Sequence, residues 1–413
     1  MTPIYIGHNP NPGAIFKGDK EIDRVWKGNA LVWEKPRGNF KIEVDTNVIT
    51  GTEVILYYTT SGMTINWGDG NTTTVSGGTS STHEYAEEGV YTITMTGWVS
   101  RFGLDTWSIN YRATAITKVL EWNDLLGLES LHLNRNTNLV SVPDHLPKTV
   151  TNLFRGFAYC ESFNDPNVSE WDVSNVTNME RLFLRCFLFD QPLNDWDVSN
   201  VDNMSWLFYY AHSFNQDLDD WDVSNVDNMS YMFLMQSGQG SFNKNINDWD
   251  VSNVDNMRNM FEGGVFNQPL NGWDTSNVTV MDRMFYRSQA FNQDLNNWDV
   301  GKVTTFSEMF RGNPVFNGDL SGWNIGEHTG GSTINMNGMF RGTDSFNHPS
   351  ICNWDVSEVT AMTAMFAYQT AMWLDLSGWC LPHIPEMPTT FAANNHAWLS
   401  KEEWHPQWGE SCS

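Results

Sequence analysis

The sequence predicts an α/β repeat solenoid of parallel strands and short helices, preceded by an all-β domain. The first observation is a phrase, LNDWDVSNVDNMSWLF at residues 193–208, that returns with small changes about every 25 residues. A repeat of this length with one apolar signature predicts units that bury their apolar faces only against their neighbours. The second observation is an upstream region in which alternating apolar residues predict β-strands.

The spacing of apolar residues changes partway along each repeat. Up to Val198 the step is two, which is typical of a strand whose side chains point to alternate faces. From Val201 to Phe208 the steps are three and four, which is the spacing of an apolar stripe on a helix. Each unit is therefore predicted as a strand, a tight bend, a short helix and a return loop. Stacked units would form a parallel sheet with strands about 4.8 Å apart.

A tryptophan marks each repeat and is predicted to lie in the core. Burying one such side chain contributes roughly 4–6 kcal/mol before entropy is subtracted. The marking residues are Trp171, Trp196, Trp221, Trp249, Trp273, Trp298, Trp323, Trp354 and Trp379, with Trp404 as a degenerate tenth. The return loop carries the signature Phe-Asn-Gln-Asp/Pro-Leu, as at 291–295. Its Phe is predicted to fill the gap between layers, while its Asn and Gln bond loop carbonyls.

The repeat is close to the leucine-rich repeat pattern, with Trp in the place of one leucine. The run at 291–310 resembles the repeat of BspA-type leucine-rich surface proteins, and this resemblance extends over roughly 154–391. It implies adhesion or display on bacterial surfaces or by phages, and it carries no catalytic residues. Polar insertions at 236–240 and 327–332 are predicted to emerge as loops on one side, which is often the binding side.

A different motif stands upstream of the repeats. Residues 65–70 read INWGDG and are followed by His83-Glu84-Tyr85 and by Gly89-Val90-Tyr91. Glycine allows positive φ around a hairpin turn, which Asp69 would close through its side chain. The motif resembles that of PKD domains. This resemblance implies a small immunoglobulin-like sandwich that serves as a spacer or interaction module.

The first 36 residues contain two copies of an aromatic-Lys-Gly pattern, each before a short β-prone run. They predict two small hairpins that must pack on something else. The segment is similar to N-terminal segments of phage tail and fibre proteins, which implies virion attachment through Phe16, Trp26 and Trp33. The predicted division is 1–36 for attachment, 37–100 for the PKD-like β-sandwich, 101–153 for irregular capping leucine-rich repeats, 154–397 for the BspA-type repeats and 398–413 for a C-terminal cap.

Charge and composition restrict the partners and the location. The net charge of −26 argues against nucleic acid, because phosphate binding depends on Lys and Arg. We find no basic segment followed by an apolar one, and no apolar run of the length that spans a membrane. These features predict a virion protein assembled in the host cytoplasm, with a cell-surface location as the alternative. The cysteines, Cys160, Cys186, Cys352, Cys380 and Cys412, are predicted to be mostly reduced.

The Asp that follows each Trp is the candidate ligand-binding feature. These residues are predicted to form an exposed column: Asp172, Asp197, Asp222, Asp250, Asp274, Asp299 and Asp355. In one interpretation each carboxylate accepts hydrogen bonds from backbone amides of its own Asp-Val-Ser-Asn bend. In the other, Ca²⁺ bridges adjacent layers through carboxylate and Ser or Asn oxygens. No other metal or cofactor is predicted.

The function predicted from these features is that of a non-enzymatic phage virion structural protein, such as a tail fibre, spike or decoration subunit. Its repeats would recognise a host-surface glycan or protein, and its N-terminal segment would bind other virion proteins. Multiple copies on one particle would add avidity. The alternatives are a bacterial cell-surface adhesin and a polysaccharide-degrading fibre enzyme with paired carboxylates. Neither nucleic-acid binding nor membrane insertion is expected.

Overall fold

The computed structural model describes residues 15–17, 20–22, 24–27, 30–34, 38–104, 115–123, 127–327, 333–369 and 372–410. Side chains before residue 39 lie outside this description, as does the larger part of the predicted insertion at 327–332. The structure consists of an antiparallel sheet followed by a stack of turn-rich layers, one layer for each sequence repeat.

Two short antiparallel pairs lie in the N-terminal segment. Strand β1 (Ile15–Lys17) pairs with β2 (Lys20–Ile22), and β3 (Arg24–Lys27) pairs with β4 (Ala30–Glu34). The predicted attachment residues lie on three of these strands: Phe16 on β1, Trp26 on β3 and Trp33 on β4. Their side chains belong to the part that is not described.

The following sheet contains seven strands. They are β5 (Gly38–Asp45), β6 (Glu53–Asn66), β7 (Thr72–Val75), β8 (Gly78–Glu84), β9 (Val90–Phe102), β10 (Ile116–Trp122) and β11 (Ser130–Leu131). The order is β10-β5-β9-β6-β7, with β8 also on β6 and with β11 parallel to β9. All these strands are hydrogen-bonded into one sheet, so the predicted immunoglobulin-like sandwich of two sheets is wrong.

The sheet buries one face, as the alternating sequence predicts. On β6 the side chains of Val54, Leu56 and Tyr58 are buried while their neighbours are partly exposed. The phase of this alternation changes after Thr60, where the pairing of β6 with β9 shifts register. A one-residue shift exchanges the two faces for every following side chain. Odd-numbered residues such as Met63 therefore face the core after the shift, whereas even-numbered residues do so before it.

The α/β fold class predicted for the repeats is wrong. Within the described residues the single α-helix is α1 (His396–Leu399), and layers 154–327 contain no strand. Over most of the layers parallel pairing is reduced to single bridges, which run through Asn152, Asn178, Asn203, Asn228, Asn256, Val280, Thr305 and Asn335, and short parallel strand pairs form only in the C-terminal layers among the described residues. The regular secondary structure of the described residues is therefore mostly antiparallel sheet with almost no helix, and the layers are not a solenoid of parallel strands and helices.

The other short elements lie mainly towards the C-terminus. They are β12 (Ile334–Asn335), β13 (Val359–Ala361), β14 (Cys380–Leu381), β15 (Gln407–Trp408) and the 3-10 helices Thr46–Val48, Pro166–Glu170, Ile325–Glu327, Pro349–Asn353 and Glu402–Trp404. Strand β12 pairs with β13, and β14 pairs with β15. Within the described residues, none of the helices is long and apolar enough to cross a membrane.

Consecutive turns replace the predicted helix. In the layer that starts at Asn178, the backbone N–H groups of Arg181 and Arg185 donate to carbonyls of the next layer, at 3.0 and 2.7 Å. The N–H groups of Leu182 and Leu184 donate instead to carbonyls three residues earlier, at 3.1 and 3.2 Å. Both arginines have positive φ, which no α-helix of L-residues tolerates. Spacings of three and four therefore arise here from turns that point Met, Leu and Phe inward.

The tryptophan column is buried, as predicted. The nine marking tryptophans from Trp171 to Trp379 are 0–4% exposed, whereas Trp404 is only partly buried. Eight indole N–H groups, from Trp196 to Trp379, each donate to a backbone carbonyl of the preceding layer at 2.8–3.1 Å. The side chain thus provides an interlayer bond where strand pairing was predicted.

Two phenylalanine columns stand beside the tryptophans. Rings of successive layers stack in both columns, as for Phe183 and Phe208 at 5.7 Å and for Phe189 and Phe214 at 6.0 Å. Within a layer the two rings are closer, at 3.9 Å between Phe183 and Phe189. The return-loop Phe therefore fills the gap between layers, as the sequence predicts.

An asparagine ladder joins the return loops. The side-chain oxygen of Asn267 accepts from the N–H of Asn292 in the next layer at 2.9 Å, and Asn292 does the same for Asn317 at 2.7 Å. Loop asparagines were predicted to bond carbonyls, but they satisfy amides instead. The glutamines do bond carbonyls, as Gln293 does with Asn267 at 3.1 Å.

The cysteines occupy two environments. Cys160 and Cys186 are buried free thiols, and Cys352 is a partly buried free thiol, in agreement with the predicted reduced state. Cys380 is disulfide-bonded, and Cys412 lies outside the described residues.

Candidate binding surface

Most layers contain two turn positions at which the backbone is left-handed, and the layer of Tyr231 contains one. The first column holds Arg155, Arg181, Trp206, Tyr231, Asn259, Arg283, Glu308, Gly338 and Ala364. The second holds Tyr159, Arg185, Tyr210, Gly263, Arg287, Gly312, Gly342 and Tyr368. Their φ angles lie between 52° and 76°. Neighbouring positions in a column belong to adjacent layers, so side chains placed there form two lines along the stack.

Large side chains at these positions carry a stereochemical cost. An L-residue in the left-handed region costs roughly 1–2 kcal/mol, which glycine does not incur. Gly263 and Gly312 show that this fold accepts glycine in the second column. Tyr, Trp and Arg nevertheless stand at equivalent positions in other layers. Strained residues of this kind are typical of functional sites.

We define the arginine–aromatic ladder as the left-handed residues of the first four layers. Its members are Arg155, Tyr159, Arg181, Arg185, Trp206, Tyr210 and Tyr231. Trp206 stacks on Tyr231 with ring centres 4.0 Å apart, and the guanidinium of Arg181 lies 5.1 Å from the Trp206 ring. Arg185 lies over Tyr159 and Tyr210, at 5.3 and 5.9 Å. Guanidinium groups and aromatic rings of adjacent layers therefore contact one another along the ladder.

Further rings flank the arginine–aromatic ladder. Tyr209 stacks on Tyr210 at 4.3 Å, and His212 stacks on Phe187 at 5.0 Å. Burial, and next Tyr210, raise the pKa of Tyr209 far above its usual value, which keeps its hydroxyl protonated. Burial, assisted by Arg185, lowers the pKa of His212, so this imidazole is neutral near pH 7.

Arginines of the ladder remain charged although the surface is partly buried. Burial lowers the pKa of Arg181, but a guanidinium starts so high that it stays protonated. Arg181 also forms an ion pair with Glu180. Among the turn segments 152–159, 178–185, 203–210 and 228–235, Glu180 is the single acidic residue, against three arginines. The ladder is thus a positive surface in an acidic chain.

The same two columns continue into a second segment of different character. We call Arg258, Asp282, Arg283, Arg287, Glu308 and Arg311 the ion-pair segment. Arg258 pairs with Asp282 at 2.9 Å, Arg283 pairs with Glu308 at 2.6 Å, and Arg311 also contacts Glu308. Although burial raises the pKa of Glu308, the bonds from Arg311 and Arg283 outweigh it and lower that pKa. Most of these guanidinium groups are therefore neutralised by the protein itself.

The predicted Asp column is exposed, and its carboxylates bond within their own bends. In every one of the seven residues an oxygen accepts from the backbone N–H two residues later, at 2.9–3.2 Å. The hydroxyl of Ser174 adds a bond of 2.6 Å to Asp172, and this bond is the main cause of the lowered pKa of Asp172. Among the described residues, no group of three or more His, Cys, Asp or Glu side chains is placed to hold a metal ion.

The upstream INWGDG motif forms a compact turn. Asp69 accepts from the N–H of Asn71 at 3.0 Å and lies 2.8 Å from Nε2 of His83. The hydroxyl of Tyr85 donates to the Trp67 carbonyl at 2.7 Å, and His83 stacks on Trp67 at 4.8 Å. Gly68 and Gly70 have positive φ, as the turn requires. Every one of these bonds stays inside the turn and its neighbouring strands, which favours a structural role.

The family is identified from the repeats. The family described as "Mycoplasma protein of unknown function, DUF285" matches residues 132–239, 234–333 and 325–404, which together make up more than half of the chain. The chain belongs to this family. No curated protein and no solved structure matches it.

Membership of the DUF285 family supports the predicted BspA-type repeat, because the matched residues are the same layers. The arginine–aromatic ladder was not predicted from the sequence. A signal was present: within the otherwise constant repeat, the third and seventh residues after the bridging position vary widely, with Arg, Tyr, Trp and Gly among them. An α-helical interpretation hid this signal, because it gives no reason for Gly and Tyr to share a position.

Proposed function

We propose that this DUF285 protein is a non-catalytic recognition protein whose layers present a binding surface to a cell surface. The observation that carries the proposal is the arginine–aromatic ladder. Its Tyr, Trp and Arg side chains occupy left-handed turn positions that glycine fills elsewhere in the same columns. Apart from the buried Arg155, these side chains are partly exposed, and retaining them at strained positions is consistent with selection for binding, because stability alone favours glycine there.

The proposed setting is a phage virion. In this proposal the segment 1–36 attaches to the particle through Phe16, Trp26 and Trp33, the PKD-like motif region acts as a spacer, and the layers face the host. The paired strands β1–β2 and β3–β4 support small hairpins in the attachment segment. Multiple copies on one particle would convert weak contacts into strong adsorption.

A cell-surface adhesin is the second candidate function. The family description names Mycoplasma proteins, which are cellular, and this observation favours a protein displayed by a bacterium. Immunogold labelling with antibodies against the layers separates the two settings. Label on purified phage particles supports the virion, whereas label on intact uninfected cells supports the adhesin.

Binding of the purified full-length protein to cells tests recognition itself. The fluorescent protein is incubated with the bacterium that the encoding phage infects, or with the surface that the encoding bacterium colonises. We expect saturable binding that unlabelled protein displaces, without release of reducing sugar. Absence of saturable binding would contradict recognition, and release of sugar would contradict the non-catalytic role.

A further inference from the structure

We infer that the arginine–aromatic ladder binds a carboxylate-bearing polysaccharide strand laid along the stacking direction. This inference rests on the proposed function, since it names the ligand class of the proposed surface. It follows from the orientation of the rings, the placement of the arginines and the charge of the whole chain.

The rings of the ladder present donors outward. Trp206 and Tyr231 are nearly parallel, 15° apart, and each covers a face of the other. The guanidinium of Arg181 lies next to the Trp206 ring in the same column. Ring faces carry negative charge density and ring edges carry positive charge density. Because the stacked faces of Trp206 and Tyr231 cover each other, we infer that a ligand meets mainly ring edges, phenol hydroxyls and guanidinium N–H groups.

Such a surface is suited to carboxylates. Guanidinium binds a carboxylate through two parallel hydrogen bonds, and charge assistance makes these bonds strong. Arg181 and Arg185 stand in one layer, four residues apart, one in each column. Tyr210 and Tyr231 offer hydroxyl groups in the following layers. A ligand that runs along the stack would meet charged and neutral donors in alternation.

A polysaccharide fits this arrangement better than a nucleic acid. Double-stranded DNA carries one charge about every 1.7 Å and depends on many Lys and Arg contacts. The ladder has three arginines, and the chain as a whole carries −26. An acidic polysaccharide is less densely charged, and its sugar hydroxyls accept the neutral donors of Tyr and Trp. Charge complementarity therefore selects a polymer of moderate charge density.

The ion-pair segment supplies a matched control in the same protein. Arg283 and Arg287 occupy the same two columns as Arg181 and Arg185, with the same spacing and similar positive φ. The acidic partners differ in number: Arg283 bonds Glu308 and has Asp282 beside it, whereas Arg181 pairs with Glu180 alone among the acidic residues of the ladder segments. Removing either arginine pair costs the protein two positive charges and two left-handed side chains. The variants differ in which surface they change.

The test measures binding of the full-length protein to immobilised polygalacturonate, with dextran, dextran sulfate and single-stranded DNA as comparison polymers. We expect polygalacturonate to bind and dextran not to bind. The double variant Arg181→Ala with Arg185→Ala should lose affinity about tenfold or more, because charge-assisted bonds are removed. The control Arg283→Ala with Arg287→Ala should remain within about twofold, because Glu308 and Asp282 beside Arg283 repel a carboxylate ligand from that surface.

A second variant distinguishes a loss of binding from a folding defect. Tyr210→Phe with Tyr231→Phe keeps the stacked rings and removes only two hydroxyl donors, so a partial loss of affinity at unchanged thermal stability is expected. The inference is overturned if both arginine pairs lower affinity equally, or if single-stranded DNA or dextran sulfate binds as tightly as polygalacturonate. If the protein binds cells but no polygalacturonate, the inference fails while the proposed function stands.

Discussion

The left-handed residues are the feature that most separates this chain from its sequence prediction. Arg181 and Arg185 interrupt what would otherwise be a helical turn, and they place two charged side chains side by side on the surface. Apolar residues between them, such as Leu182 and Phe183, turn inward and are fully buried. One backbone feature thus produces both the layer core and the binding surface.

Ala364 offers a direct measure of the strain at these positions. It has φ of 58°, and its side chain is too small to join the aromatic contacts. Ala364→Gly should raise the free energy of unfolding of the layers by about 0.5–1 kcal/mol, because relief of strain exceeds the added entropy of the unfolded chain. Denaturant unfolding followed by tryptophan fluorescence measures this change.

The control is Ala367→Gly, three residues later. Ala367 is buried and its φ is not positive, so glycine there should lower the free energy of unfolding. Equal destabilisation by both substitutions would contradict strain at Ala364.

Because of Asp69, we expect the stability of the antiparallel sheet to depend on pH. Although burial raises its pKa, bonds from Asn71 and His83 outweigh that effect and lower the pKa to about 2. The folded pKa lies below the ordinary value of 3.8. Its contribution to stability is therefore present above about pH 4 and is lost as the pH falls through about 2.

Asp69→Asn tests this dependence. The difference in free energy of unfolding between wild type and variant, measured in urea at pH 5, 3.5 and 2, should shrink as the pH falls. A difference that stays constant over this range would show that the carboxylate charge contributes nothing.

At the scale of the element, a layer is a closed run of turns joined to its neighbours by specific bonds. The single bridges, the asparagine ladder and the tryptophan indoles each connect one layer to the next. Buried backbone carbonyls that lack strand partners are satisfied in this way. Interlayer cohesion therefore depends on side chains as much as on the backbone.

Trp249 tests that dependence. Its indole N–H donates to the Leu218 carbonyl at 2.8 Å, and its ring stacks on Trp221 at 6.3 Å. Trp249→Phe should lower the free energy of unfolding by about 2–4 kcal/mol, because it leaves both a cavity and an unpaired buried carbonyl.

Trp373→Phe is the matched control, because Trp373 is 53% exposed. It should change the free energy of unfolding by less than about 0.5 kcal/mol. If Trp249→Phe were equally mild, the indole bonds would not hold the layers together. Chemical denaturation under identical conditions compares the two variants.

The sequence predicted the core better than it predicted the elements. Repeat length, the buried tryptophans and the Phe that fills the return loop follow from apolar periodicity, and the structure has them. The helix failed because spacings of three and four are shared by helices and by consecutive turns. Only backbone φ at residues such as Tyr231 distinguishes them, and tyrosine gives no hint of a left-handed conformation. The candidate Asp residues were correctly placed on the surface, but the ladder was missed for that same reason.

At the scale of the whole molecule, positive charge is concentrated on the turn columns. Every arginine between residues 154 and 327 stands at a left-handed position or directly beside one. The Asp residues that follow each tryptophan lie in a different segment of each layer and are exposed. A chain of net charge −26 therefore keeps its arginines on two lines of turn positions, where Asp282 and Glu308 pair with those of the ion-pair segment and Glu180 pairs with Arg181 of the ladder.

Hydroxyl-radical footprinting of the full-length protein, with and without polygalacturonate, tests most directly whether the arginine–aromatic ladder is the binding surface. Oxidation of partly exposed rings reports which surface the ligand covers. Trp206 and Tyr231 should become protected, while Tyr286, whose ring lies beside Arg283 and Arg287, and the exposed Trp373 should react as before. Protection of Tyr286 or Trp373 to the same extent, or no protection of Trp206 when ligand is bound, would contradict binding at the ladder.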